Sequence, residues 1–314
     1  MKAGPSTRGR AASFRSGVLP VEKGRGVTSF DVVALVRRLL RAGKVGHAGT
    51  LDPDATGVLP LLIGEATKLM PYLADADKEY VATATLGVAT DTQDLSGAVV
   101  ATHPVPALDE ASLTGILARF VGEIDQVPPM YSAIHHEGRR LYEIAREGGS
   151  VDRRARRVVV HGIALEGVSL PDFTMRVRCG KGTYVRTLVA DAGAAIGCGA
   201  ALSRLTRTRV GPFALSDAVP WAELSTCRDA AALWSRLLPP DAALQGRPAL
   251  TLVPAATRAF THGQAAGAPP TADGIVRVYG ADGVFLGVGI ASAGTVRPER
   301  LLHADPARTS VLPA

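Results

Sequence analysis

Apolar positions recur at helical spacing just ahead of an irregular, glycine-rich stretch. Val32, Val33, Val36, Leu39 and Leu40 fall on one face, and Thr28 with Asp31 makes a capping-box pattern before them, so a helix is expected that runs until Gly43. Residues 79–87 alternate instead, with Tyr80, Ala82, Ala84 and Leu86 on one face, which predicts a half-buried strand. A second helix is expected over residues 111–120, where Leu113, Ile116, Leu117 and Phe120 form a stripe. Strands follow over residues 157–165 and 174–179, the second leading through a glycine turn into a helix that starts near Tyr184. Beyond residue 241 the character changes. Pro239-Pro240 and Gly246-Arg247-Pro248 read as a linker, and residues 250–253, 275–279, 284–290 and 296–303 as short strands divided by Gly and Asp turns. Periodicity alone supports mixed α and β structure with a small β-rich module at the C-terminal side.

The irregular stretch holds the most informative residue. Asp52 follows Gly49-Thr50-Leu51 and precedes Pro53, so glycine and proline surround a carboxylate where a regular helix or strand would place neither. Two readings of an isolated Asp before Pro are open: a turn or helix cap, or a reactive acid on a rigid loop. Asp52-Pro53-Asp54-Ala55-Thr56 also matches D-x-D-x-T, the nucleophile motif of the haloacid-dehalogenase-like phosphatases. That motif needs a buried apolar strand ahead of its first Asp, and Gly46-His47-Ala48-Gly49-Thr50 cannot form one. Gly180-Lys181-Gly182-Thr183 is no P-loop, because Met175 stands where that motif has its first glycine and Gly182 where it has Ser or Thr.

Composition narrows the classes. The 314 residues suit one large or two moderate domains, and 46% hydrophobic residues suffice for a core. A formal charge of +6 favours a polyanionic partner. Residues 126–157 interleave Pro128-Pro129, Tyr131 and Tyr142 with Arg139, Arg140, Arg153, Arg154, Arg156 and Arg157, a mixture that suits a surface tracking a nucleic-acid backbone. Cys179, Cys198 and Cys227 are odd in number and in no C-x-x-C pair, which supports neither a disulfide framework nor a zinc site. The seven His show no metal-ligand spacing, so no metal is expected. With no long apolar run and no signal-peptide pattern, a cytoplasmic protein with no membrane association is expected, and residues 1–16 read as a basic tail.

The blocks GHAGTLDPDATGVLP (46–60), GEATK (64–68), DKEYVATATLG (77–87), ATDTQDLSG (89–97), QVPPMYSAIHHEGRRLYEIAREG (126–148) and CGKGTYVRTL (179–188) resemble, in order and spacing, those of the bacterial tRNA pseudouridine synthase B family. The resemblance covers residues 18–210 strongly and the rest loosely. It implies an α+β catalytic domain on a mixed, largely antiparallel sheet over residues 17–240. An RNA-gripping insertion would lie near 126–157, and a PUA-like RNA-binding domain over 247–314. It implies a cofactor-free enzyme, expected to act as a monomer, that isomerises the uridine at position 55 in the TΨC stem-loop of tRNA. Carried over residue by residue, Asp52 is the catalytic carboxylate. Arg186 pairs with it and keeps it ionised, and Tyr80 stacks on the flipped base and assists proton removal from C5. His47 supports the extruded RNA, and Tyr184 and Leu205 pack around the pocket. Whether Asp52 attacks uracil C6, attacks the sugar C1′ or removes a sugar proton is left open. One departure stands out: the family's Lys-Pro-x-Gly is here Lys23-Gly24-Arg25-Gly26, and the missing proline predicts a looser loop around Lys23. The alternative from another class is a tRNA-binding or RNA-folding protein without catalysis; Asp52, Tyr80 and Arg186 together argue against it, since binding a phosphate-rich ligand gains nothing from an ionised Asp.

Overall fold

A computed structural model describes residues 15–303, so the expected tail over residues 1–16 lies outside the described residues except for its last two. Those two are held: the Glu65 amide donates to the Ser16 hydroxyl at 2.9 Å, and the Arg15 guanidinium lies over the Trp234 ring. The chain forms two compact units, residues 54–57 with 75–210, and residues 1–53 with 58–74 and 211–314.

In the first of these, strands Ala200–Val210, Lys78–Leu86, Asp172–Cys179, Arg156–Ser169 and Gly122–Gln126 lie side by side in that order, every neighbouring pair antiparallel. Thr56 and Gly57 add the parallel element, pairing with Thr206 and Arg207. Mixed and largely antiparallel is thus the observed sheet. The alternation read from the sequence decides which face is covered. Ala82, Ala84 and Leu86 are buried together with Phe173, Met175 and Val177 beneath helices Glu110–Ala118 and Val185–Ile196. Leu113 and Leu117 of the earlier helix are buried in the same core, as its stripe predicts.

In the other unit, strand Val45–His47 pairs antiparallel with the end of strand Thr56–Ile63, and strand Gly17–Lys23 lies beside the latter. Helix Ser29–Leu40 buries Val32, Val36 and Leu40 against Leu19, Val21, Leu59, Leu61 and Ile63. Its capping box is present as expected, but the helix stops at Arg41, left-handed with φ 50°, ahead of Gly43. Residues 249–301 carry a second core of their own, with strands Ala249–Thr251, Gly274–Tyr279, Phe285–Ser292, Thr295–Leu301 and Ala266–Gly267 in that order. One helix, Pro254–Thr261, was not foreseen there; its Phe260 is fully buried in that core. The stretch read as a linker is a short 3-10 helix, Pro240–Leu244, whose Ala242, Ala243 and Leu244 are buried.

Candidate active site

Asp52 is half-buried on the loop between strands Val45–His47 and Thr56–Ile63, and its neighbours on both sides are fastened. Leu51 is buried; its amide donates to the Ser29 hydroxyl at 3.0 Å, and that hydroxyl donates to the Leu51 carbonyl at 3.2 Å. The Pro53 carbonyl accepts from Lys23 Nζ and from the Gly26 amide, each at 2.9 Å. The first turn of helix Ser29–Leu40, itself set by the Thr28 cap, therefore holds one flank of the carboxylate, and Lys23 holds the other.

Lys23 corrects an expectation. Its side chain is fully buried, and its ammonium donates to the Gly24, Val27 and Pro53 carbonyls at 2.9, 2.8 and 2.9 Å. The loop lacking the family's proline is tied down. The reason it can lack a ring at residue 24 is Trp221, whose indole carbons lie 2.4–2.6 Å from where a Cβ on Gly24 would sit. The indole fills the space that a side chain would take. His47 sits in the same unit, half-buried, opposite Leu61 on the short strand.

The other expected residues lie in the antiparallel unit. Tyr80 stands on strand Lys78–Leu86, between Val177 and Arg207 of the flanking strands, and Leu205 pairs with Ala82 on that neighbouring strand; both side chains pack against one core. Tyr184 caps helix Val185–Ile196 and exchanges two bonds with the buried Gln126. Its amide donates to the Gln126 Oε1 at 2.8 Å, and the Gln126 amide donates to the Tyr184 carbonyl at 3.1 Å. Arg186 is buried in the first turn of helix Val185–Ile196. Its two terminal nitrogens donate to the Thr92 carbonyl at 3.3 Å and the Tyr131 carbonyl at 2.7 Å, with an Asp94 carboxylate oxygen 3.9 Å away. Asp91 and Asp94 serve local turns: Asp91 accepts from the Ala98 amide at 2.8 Å, and Asp94 from the Ser96 amide at 3.0 Å.

Sequence reasoning passed over Arg207, the largest fully buried side chain among the described residues, which stands opposite Tyr80 on the neighbouring strand. Burial lowers its affinity for a proton, and the Tyr80 contact acts the other way. Lys78, two residues from Tyr80, is pulled down to about 8, first by burial and then by the Arg207 charge. Burial likewise pushes the Cys179 thiol up to about 11. Within residues 128–156, a cavity of about 240 Å³ is lined by His135, His136, Arg153, Arg154 and Arg156 among other residues. No group of three or more His, Cys, Asp or Glu able to hold a metal occurs among the described residues, and no helix there is long and apolar enough to cross a membrane.

Residues 37–185 match the family described as TruB family pseudouridylate synthase (N terminal domain), residues 186–245 the tRNA pseudouridylate synthase B C-terminal domain, and residues 248–302 pseudouridine synthase II TruB, C-terminal. The tRNA pseudouridine synthase B of Chromohalobacter salexigens is 48% identical over 300 residues, covering 94% of this chain and 97% of that protein. The chain belongs to the tRNA pseudouridine synthase B family. The family protein of Azoarcus sp. is also 48% identical, over 91% of this chain and 94% of its own. Among solved structures, a Cbf5-Nop10-Gar1 complex contains a chain of TM-score 0.71 and 26% identity, covering 93% of this chain and 87% of its own. An H/ACA RNP bound to a substrate RNA containing 2'-deoxyuridine gives TM-score 0.69 at 25% identity, with 92% and 86% covered. The pseudouridine synthase fold expected for this chain is therefore the observed one, and as a member of the tRNA pseudouridine synthase B family it is an isomerase.

Proposed function

We propose that this enzyme isomerises uridine to pseudouridine in tRNA, at position 55 of the TΨC loop. Near-48% identity to tRNA pseudouridine synthases B along almost the whole chain carries the reaction and the substrate class. The position rests on the GTLDP and GEATK blocks resembling those of enzymes that act there. The reaction breaks the glycosidic bond, turns the uracil and rejoins it through C5, so the base must leave its stack first. Asp52 is the nucleophile or base, on a loop whose flanking carbonyls are fixed by Ser29 and Lys23. Arg186 serves as its ion-pair partner and favours its charged form. Tyr80 stacks on the flipped uracil, His47 supports the extruded nucleotide, and Tyr184 and Leu205 shape the pocket. The basic insertion around residues 126–157 and the PUA-like module over 247–314 grip the RNA of a single tRNA per monomer, and the reaction uses no cofactor.

The test is incubation with unmodified tRNA transcript, followed by carbodiimide treatment and primer extension. Wild type is expected to give one stop, at position 55. Asp52→Asn is expected to give none while binding tRNA within about tenfold, because it removes a charge and little contact area. Turnover by Asp52→Asn would remove Asp52 from the mechanism, and binding by wild type without any stop would favour the non-catalytic alternative.

A further inference from the structure

Arg207 is a buried cation set against Tyr80. It stands directly opposite Tyr80 in the antiparallel pairing and is 1% exposed. Irregularities of register between residues 202 and 204 and between 207 and 209 set this alignment. The backbone of Arg207 is held as well. Thr56 and Gly57 pair with Thr206 and Arg207, the Thr56 and Thr206 hydroxyls are 2.9 Å apart, and a Cβ on Gly57 would fall 2.2 Å from the Arg207 carbonyl oxygen. Gly57 has φ +111°, so both its conformation and its contact require glycine. A guanidinium has donors and no acceptor, so towards Tyr80 it can only offer hydrogens to the phenol oxygen.

We propose that Arg207 is a positioning residue for pseudouridine formation, its buried positive charge opposite Tyr80 favouring the phenolate as proton acceptor. The inference rests on the proposed function. The step is a proton transfer. The Tyr80 phenolate, its proton already lost to solvent, takes the hydrogen from C5, and the C–H electron pair returns to the uracil ring. A buried cation facing the oxygen favours the charged phenolate over the phenol. Around Tyr80, Lys78 lies on its own strand and Cys179 opposite Lys78; Arg186 and Asp191 lie on helix Val185–Ile196, and Asp54 begins the segment that pairs with Arg207. Glu79 is on the opposite face, bonded to Arg176 and Thr208, with Arg209 across from it.

Full-length wild type, Arg207→Lys and Arg207→Met are compared in single turnover at saturating tRNA from about pH 6 to about pH 9.5, with tRNA binding measured in parallel. Arg207→Met is expected to lose about tenfold or more in rate at neutral pH, since the buried charge facing the phenol is removed, and to recover part of it as pH rises. Binding should stay within about twofold, and Arg207→Lys, which keeps a charged donor, should fall between. Ultraviolet titration of wild type against Tyr80→Phe reads the phenol itself, expected to ionise below the ordinary tyrosine value of about 10 and to move up in Arg207→Met. A rate profile of Arg207→Met that superposes on wild type overturns the proposal. So does an equal loss at every pH with an unmoved phenol titration, which is what a merely structural Arg207 would give. If Arg207→Met fails to fold, the Arg207→Lys profile and the wild-type titration decide, and a phenol ionising at or above the ordinary value overturns it. A wild type that makes no pseudouridine sinks the proposed function instead, while the titration still reads the Arg207 contact.

Discussion

Arg186 and Lys78 are both buried cations, and they differ in what a substitution should reveal. Arg186 reaches two backbone carbonyls in different directions, Thr92 and Tyr131, with separate nitrogens of a planar fork. An ammonium at the same position cannot span both. Losing one charge-assisted bond costs roughly 1.5–3 kcal/mol. Arg186→Lys is therefore expected to lose about tenfold to about a hundredfold in single-turnover rate, with a smaller effect on tRNA binding; equal rates for the two proteins would mean that neither carbonyl anchor matters to catalysis. Lys78 is the opposite case, a charge whose burial is a cost. Its folded value of about 8 lies below the ordinary 10.5, so between those pH values the unfolded chain binds more protons and stability rises with pH. Below about 8 the ammonium is charged in both states and the full cost, at most roughly 3 kcal/mol, is present. Lys78→Met should raise the unfolding midpoint at pH 7 and the gain should fade towards pH 10.5. A lower midpoint at pH 7 would show that the bond from its ammonium to the Ala76 carbonyl, 2.6 Å, outweighs desolvation.

Around the Lys23 loop, space rather than charge decides. The family's usual proline at residue 24 would need a ring where the Trp221 indole already lies. Gly24→Pro is accordingly expected to destabilise by roughly 1–3 kcal/mol through overpacking, and Trp221→Ala in the same protein to relieve part of that. Denaturant midpoints of the two single variants and the double variant measure the coupling, and strictly additive effects would refute the exchange of ring for indole. Local signals made the elements here readable: Thr28 with Asp31 announces helix Ser29–Leu40, and the alternation from Tyr80 to Leu86 announces its strand. What could not be read is whatever depends on distant partners. Lys23 looks loosened by a missing proline until Trp221, almost two hundred positions away, is seen against Gly24. Arg207 is hidden for a different reason, since two irregularities in strand Ala200–Val210 break the two-residue period and no alternation count would place it opposite Tyr80. Arg186 was legible through its motif, whereas its two carbonyl acceptors, Thr92 and Tyr131, were not.

At the scale of the chain, the net charge of +6 has to act through particular surfaces if the partner is tRNA. The module over residues 249–301 has its own core, and it is tied to residues 65–68 by Lys68 Nζ donating to the Leu301 carbonyl at 2.9 Å and the His303 amide donating to Glu65 at 3.2 Å. A further tie is the Tyr279 hydroxyl donating to Asp241 at 2.7 Å, which fastens the strand Gly274–Tyr279 to the buried 3-10 helix ahead of it. A cut after Pro240 would strip Ala242, Ala243 and Leu244 from that burial, so the informative truncation is after Gly246, which keeps them. If the module is an accessory RNA grip carrying Arg258, Arg277, Arg297 and Arg300, removing it should weaken binding of full-length tRNA and flatten the salt dependence, by about one unit of slope for each phosphate no longer neutralised. Single-turnover chemistry on a minimal TΨC stem-loop should change much less. A collapse of that rate in a truncated protein whose circular dichroism and cooperative unfolding remain intact would place the module in the catalytic machinery, because a weaker grip on phosphates lowers affinity and leaves the rate at saturation alone.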